Sequence, residues 1–118
     1  MINPLQGSTI TFSGFLKDDN GEIITDLSPY VFRALIKSRF KPDVFVFSTA
    51  SSGDTAITVS GTGLATWKLL PTQSKKLSGE TLLELDVTEN LTGDKKMGKT
   101  IIFCVDETVF SQQVNFEL

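Results

Sequence analysis

Residues 61–87 read GTGLATWKLLPTQSKKLSGETLLELDV, and the order of signals in this stretch decides the fold class. Ser60 to Gly63 form a hairpin turn, after which the chain alternates. Ala65, Trp67 and Leu69 fall on one face and Thr66 and Lys68 on the other, the period of a half-buried strand. Thr72 is placed to cap one helical turn over residues 73–77. Lys75 and Lys76 stand near its C-terminal end, where the helix dipole favours cations. Gly79 suits the left-handed stop. Residues 82–88 then alternate again, with Leu83, Leu85 and Val87 against Glu84, Asp86 and Thr88. A strand, one turn, a glycine and a second strand suit a sandwich of sheets.

Working outward, the same period of two recurs. Ile10 and Phe12 share a face of a first strand that carries Thr9, Thr11 and Ser13 on the other. Asp18, Asp19, Asn20 and Gly21 signal a turn, and Asp26, Leu27, Ser28 and Pro29 a break. Residues 30–38 present Tyr30, Phe32, Ala34 and Ile36 on the better core face, because the opposite face carries Arg33 and Lys37. Residues 44–49 are apolar on both faces, with Val44 and Val46 opposing Phe45 and Phe47. Residues 57–59 form a short strand, residues 91–98 a charged turn, and residues 99–105 and 114–118 the last two strands. Short strands with turn signals every 8–12 residues predict an all-β, immunoglobulin-like β-sandwich of about seven to nine strands with one short helical turn. The expected core is Phe12, Phe32, Ile36, Trp67, Leu69, Leu83, Leu85, Val87, Ile101 and Phe103.

The 118 residues fit one domain, residues 1–118, and a chain of this size buries roughly two-thirds of its unfolded surface. A net charge of −3 and scattered basic residues argue against a nucleic-acid surface, which needs clustered Lys and Arg. The chain has no histidine, which removes His-based triads and His-ligated metals. Cys104 is the only cysteine, so no intrachain disulfide is possible, and its apolar surroundings predict a buried, inert thiol. The first ten residues lack the basic and apolar regions of a signal peptide, and no apolar run approaches a membrane span.

Three constellations invite chemistry. Residues 18–22 are acidic enough for calcium, but Leu27 stands where the loop pattern needs a glutamate and Leu16 where it needs the first ligand. A hairpin turn is the expectation there. Gly61 and Gly63 lack the third glycine and the helix of a phosphate-cradling loop. Glu84 and Asp86 share one strand face, where alternating carboxylates are ordinarily solvated, although such pairs do acid–base work when they flank a cleft. No catalytic residue, metal site or cofactor is expected.

The opening Gly7-Ser8-Thr9-Ile10-Thr11-Phe12, then Asp19-Asn20-Gly21, Asp26-Leu27-Ser28-Pro29-Tyr30, Ile57-Thr58-Val59, Gly63-Leu64-Ala65-Thr66-Trp67 and Leu77-Ser78-Gly79 carry a family likeness. In these segments the chain resembles the N-terminal β-sandwich domain of phage baseplate upper proteins and related tail proteins. It departs from the family's wording at Ser28-Pro29, where Thr-Gly is usual. Residues 81–83 lack the family's tyrosine, and residues 39–49 form a longer insert. The resemblance implies a non-enzymatic structural or attachment module of a phage or prophage tail, made in the host bacterial cytoplasm and located in the virion. Its partners would be other tail or baseplate proteins or copies of itself, with no nucleic acid and no membrane. Val44, Phe45, Val46 and Phe47 are the expected protein interface, since a strand apolar on both faces leaves one face needing cover. The alternative is a carbohydrate-binding or adhesin-like sandwich of a bacterial surface protein, with Tyr30 and Trp67 as its aromatic candidates.

Overall fold

A computed structural model describes residues 4–106 and 114–117. Within them the chain forms eight strands: β1 (Ile10–Phe15), β2 (Tyr30–Ser38), β3 (Val44–Ser48), β4 (Thr58–Val59), β5 (Leu64–Leu69), β6 (Gly79–Glu89), β7 (Lys95–Val105) and β8 (Val114–Glu117). They make two four-stranded sheets, ordered β4-β5-β1-β8 and β3-β2-β6-β7. The pairs β2–β3, β4–β5 and β6–β7 are antiparallel hairpins within a sheet, while β1→β2, β3→β4 and β5→β6 cross between sheets. In immunoglobulin lettering β1, β5 and β4 take the places of B, E and D, and β3, β2, β6 and β7 those of C′, C, F and G. β8 lies beside β1, parallel to it. The expected all-β sandwich is what the chain forms.

The core follows from the alternation. Ile10 and Phe12 of β1, Ala65, Trp67 and Leu69 of β5, Phe32, Ala34 and Ile36 of β2 and Leu83, Leu85 and Val87 of β6 are all buried between the sheets. Register places Trp67 and Phe116 on either side of Phe12. The Phe12 ring stacks on both, at centroid distances of 5.7 and 5.4 Å, and Phe103 closes the cluster from the opposite sheet, 4.9 Å from Phe116. Ile101, expected in the core, is half-buried and packs against its margin.

The β5→β6 crossing differs in detail from the expectation. Its helical turn is Pro71–Ser74, beginning two residues earlier than the sequence suggests. Proline, with its preset φ and no N–H to leave unpaired, takes the first helical position. The Leu70 N–H donates to Gln73 Oε1 at 2.8 Å, and Thr72 is exposed. Gly79 has φ +69°, the left-handed stop. Buried hydroxyls tie this crossing down. Ser74 Oγ donates to the Ser8 carbonyl, Ser38 and Thr81 share a 2.7 Å hydroxyl–hydroxyl bond, and the Ser78 N–H donates to Ser38 Oγ. Buried polar groups stay affordable only when paired in this way.

Two further expectations are corrected. The charged turn is shorter than residues 91–98, because β7 begins at Lys95 and the chain turns between Glu89 and Asp94, with Gly93 at φ +73°. Lys95 and Lys96 bond Asp86 and Glu89 across the hairpin, so the charges extend the ladder instead of ending it. Cys104 is exposed, not buried. β7 lies at a sheet edge and alternates, sending Phe103 and Val105 inward and Ile102 and Cys104 outward. The strand expected over residues 114–118 is β8, and residue 118 lies outside the described residues.

Candidate functional site

The outer face of the sheet β3-β2-β6-β7 holds the chain's most unusual surface. Strand β3, the expected interface, forms one edge of this sheet. Its four apolar residues divide between the two faces. Phe47 is fully buried in the core and Phe45 packs against it, whereas Val46 is half-buried outside and Val44 is 46% exposed. The Phe47 ring is therefore used inside the chain, and the surface that β3 offers is made by the two valines.

Register extends that surface across the sheet. Val46 lies beside Leu35, while Val44 lies beside Lys37, which in turn neighbours Leu82, which neighbours Ile102. Ile102 is 63% exposed, and Phe40 at the β2–β3 turn is 84% exposed beneath the Arg39 guanidinium, 5.2 Å from the ring centroid. Charges fill the remaining outward positions in two columns. β2 and the residue after it supply Arg33, Lys37 and Arg39, and β6 supplies Glu80, Glu84 and Asp86. Only parts of this lattice are paired within the chain. Asp86 bonds Lys95 at 2.9 Å, and Arg39 stands 3.9 Å from Glu80. The row neighbours of Lys37 are Val44 and Leu82, and those of Glu84 are Leu35 and Thr100. Glu84 and Asp86 thus lie on the open outer face of the sheet.

A second feature sits at the end of the sandwich where the β1–β2, β4–β5 and β6–β7 loops meet. It is an open cleft of about 650 Å³ lined by Asp26, Ser28, Tyr30, Thr49, Ser60 and Asn90 among others. Its polar groups mostly serve their own loops. Asp26 Oδ1 accepts the Ser28 hydroxyl at 2.8 Å and the Ser28 N–H at 3.1 Å. These two bonds, the hydroxyl first, hold the exposed Asp26 carboxyl below its ordinary value of 3.8. Asn90 donates to the Ser28 carbonyl. Tyr30 is half-buried at the cleft wall. Trp67, the other aromatic candidate for sugar stacking, is 2% exposed and stacked on Phe12. Its indole N–H finds no acceptor among the described residues.

Among the described residues no three His, Cys, Asp or Glu side chains gather as a metal site, and no helix is long and apolar enough to cross a membrane. Comparison with known proteins returns no matching family model, no matching curated protein and no matching solved structure. The surface that sequence reasoning missed is the pair of charge columns. β2 and β6 are far apart in the chain, and their residues become columns only once the strands pair.

Proposed function

We propose that the chain is a non-enzymatic structural module of a phage or prophage tail, made in the bacterial cytoplasm and acting in the virion by docking to copies of itself or to a neighbouring tail protein. The family likeness in segments 7–12, 19–21, 26–30, 57–59, 63–67 and 77–79 motivates the tail assignment. The observation that carries docking is the outer face of β3-β2-β6-β7, where Val44 and Ile102 are exposed, with the exposed Phe40 under the Arg39 guanidinium at its end. Exposed apolar patches rimmed by charge are characteristic of protein contacts. The position of Glu84 and Asp86 on that open face supports a binding role over a catalytic one. The test is immunogold electron microscopy with antibody against the chain, on particles purified from a host that encodes it. Label at the tail, with the chain recovered in the particle proteome, is the expected result. Its absence from purified particles would overturn the assignment.

The runner-up, saccharide binding, rests on Tyr30 at the wall of the loop-end cleft. It predicts that glycan-array binding exists and is lost in Tyr30→Ala.

A further inference from the structure

We infer that the outer face of β3-β2-β6-β7 is a self-complementary surface that pairs two copies of the chain face to face about a twofold axis parallel to the strands. This rests on the docking reading above and gives it an occupant. The argument is geometric. On this face the charged residues of β2 and the residue after it are all cations (Arg33, Lys37, Arg39) and those of its neighbour β6 all anions (Glu80, Glu84, Asp86), with Leu35 and Leu82 among them. Two such faces can meet about an in-plane twofold axis in two principal ways. An axis perpendicular to the strands lays β2 on β2 and β6 on β6, so like charges oppose. An axis parallel to the strands, passing between β2 and β6, lays β2 of one copy on β6 of the other.

The second arrangement brings opposite charges together in the rows of Arg39 and Arg33, while in the two rows between them Lys37 faces Leu82 and Leu35 faces Glu84 of the second copy. Rows are preserved, because rotation about the strand direction does not move a residue along the strand. Arg39 then faces Glu80 of the second copy, and Arg33 faces Asp86, since these residues share rows within one chain. Lys37 lies one step along the strand from Glu84 of the second copy, roughly 7 Å, which a lysine stem can span. The same diagonal step separates Lys37 from Glu84 within one chain, so the second copy adds a further opposite charge beside each. The outer strands exchange as well, so β3 lies over β7 of the second copy. Val44 and Ile102, the two most exposed aliphatic side chains on these strands, belong to one row and meet. Ion pairs inside one chain account for Arg39 beside Glu80 and for Asp86 beside Lys95. They leave Val44 and Ile102 without a reason.

Four strands about 4.8 Å apart and up to eleven residues long give a footprint on the order of 600 Å² per copy, at the low end of specific interfaces. A dimer with a dissociation constant in the range of about 10–100 μM is the expectation.

Sedimentation equilibrium of the full chain across that range tests it, using Arg39→Glu, Glu80→Arg and Ile102→Lys. All three residues are exposed, so the variants keep the wild-type circular dichroism spectrum and thermal midpoint. Each contact occurs twice in a twofold dimer, so each variant alone weakens association by about tenfold or more. An equimolar mixture of Arg39→Glu and Glu80→Arg forms a heterodimer, because each charge then meets its opposite in the other chain. Ile102→Lys is not rescued by either. A wild type that stays monomeric throughout overturns the inference, and so does a dimer indifferent to all three substitutions or a mixture without rescue. A monomeric wild type whose chain is still found in tail particles overturns the self-pairing and leaves the tail reading standing. A rescued heterodimer from a chain absent from particles does the reverse.

Discussion

The two outer faces of the sandwich differ in chemistry, although each carries some apolar surface: Phe15 and Leu64 form one outward row on β4-β5-β1-β8. On β4-β5-β1-β8 the outward side chains of the central strands include Thr11 and Ser13 from β1 and Thr66 and Lys68 from β5. Hydroxyls at strand positions are compatible with water and make few demands on neighbours. On β3-β2-β6-β7 branched aliphatics and long charges mix within rows, as in Val44-Lys37-Leu82-Ile102 and Val46-Leu35-Glu84-Thr100. Both sheets meet the same core, so folding alone does not ask for this difference. What it teaches is that a residue's inward neighbours explain half of a strand. The other half has to be explained by what each face meets outside the chain.

One shared core holds both faces, and the largest expected effect comes from breaking it. Trp67 on β5 stacks on Phe12 and is almost wholly buried. Trp67→Ala is expected to destabilise the fold by about 3–5 kcal/mol, measured by chemical denaturation. Trp67→Phe should cost much less, because it keeps a stacking ring and removes a buried N–H that has no acceptor among the described residues. A loss well under about 1 kcal/mol for the alanine variant would mean that Trp67 packs on little, and would return it to the saccharide reading.

Next comes the joint between the sheets. Gly63, in the β4–β5 turn, has φ +86°, and a Cβ there would overlap the Ile24 carbonyl oxygen of the loop that crosses from β1 to β2. Both the dihedral and the close approach exclude a side chain. Gly63→Ala should cost about 2–4 kcal/mol, the sum of left-handed strain and a displaced loop. Gly21→Ala, with a similar φ of +81° and open space around its Cβ position, should cost only the strain, about 1–2 kcal/mol. Equal losses in the two variants would show that the sheets are not joined at Gly63.

Much of this was legible in the sequence, for a physical reason. Alternation assigns a face to Phe12, Phe32, Trp67, Leu83 and Leu85 whatever their partners are, so the core and the sandwich followed from local pattern. The double apolar pattern of residues 44–47 announced a strand with two uses. It did not say that Phe45 and Phe47 turn inward, since that depends on which sheet the strand joins. Cys104 sits in an apolar run, yet its exposure is decided by β7 standing at an edge. The charge columns are less legible still. Arg39 and Glu80 are neighbours only through the pairing of Ser38 with Thr81, a non-local register that no window of sequence contains.

A matched pair of substitutions sharpens the contrast between the faces. Ser13→Lys places a lysine on the hydroxyl face, between Thr66 and Glu117, and Val44→Lys places one on the mixed face. Each should change stability by no more than about 0.5–1 kcal/mol, since neither enters the core. Sedimentation should separate them: Val44→Lys weakens self-association and Ser13→Lys leaves it at the wild-type value. Weakening by both would make the effect one of net charge and erase the distinction between the faces.

The smallest effect lies away from both faces, at the loop end, and it carries a sign. Asp26 is ionised more readily in the folded chain than its ordinary value of 3.8, because the Ser28 hydroxyl and N–H donate to its carboxylate. A group whose folded value is depressed contributes stability that is present above its unfolded value and is lost as pH falls through the folded one. Thermal melts of wild type and Asp26→Asn should therefore differ slightly at neutral pH, with the wild type higher. The two should converge as the medium is acidified below about pH 4, the ordinary carboxylate range. The carboxylate is fully exposed, so the gap should also shrink in high salt. Self-association at pH 7 should be the same in both, because Asp26 lies at the loop-end cleft and not on the sheet face. A change in association with Asp26→Asn would move the docking surface from the face to the loops. A gap that widened on acidification would show that the Ser28 bonds do not favour the ionised form.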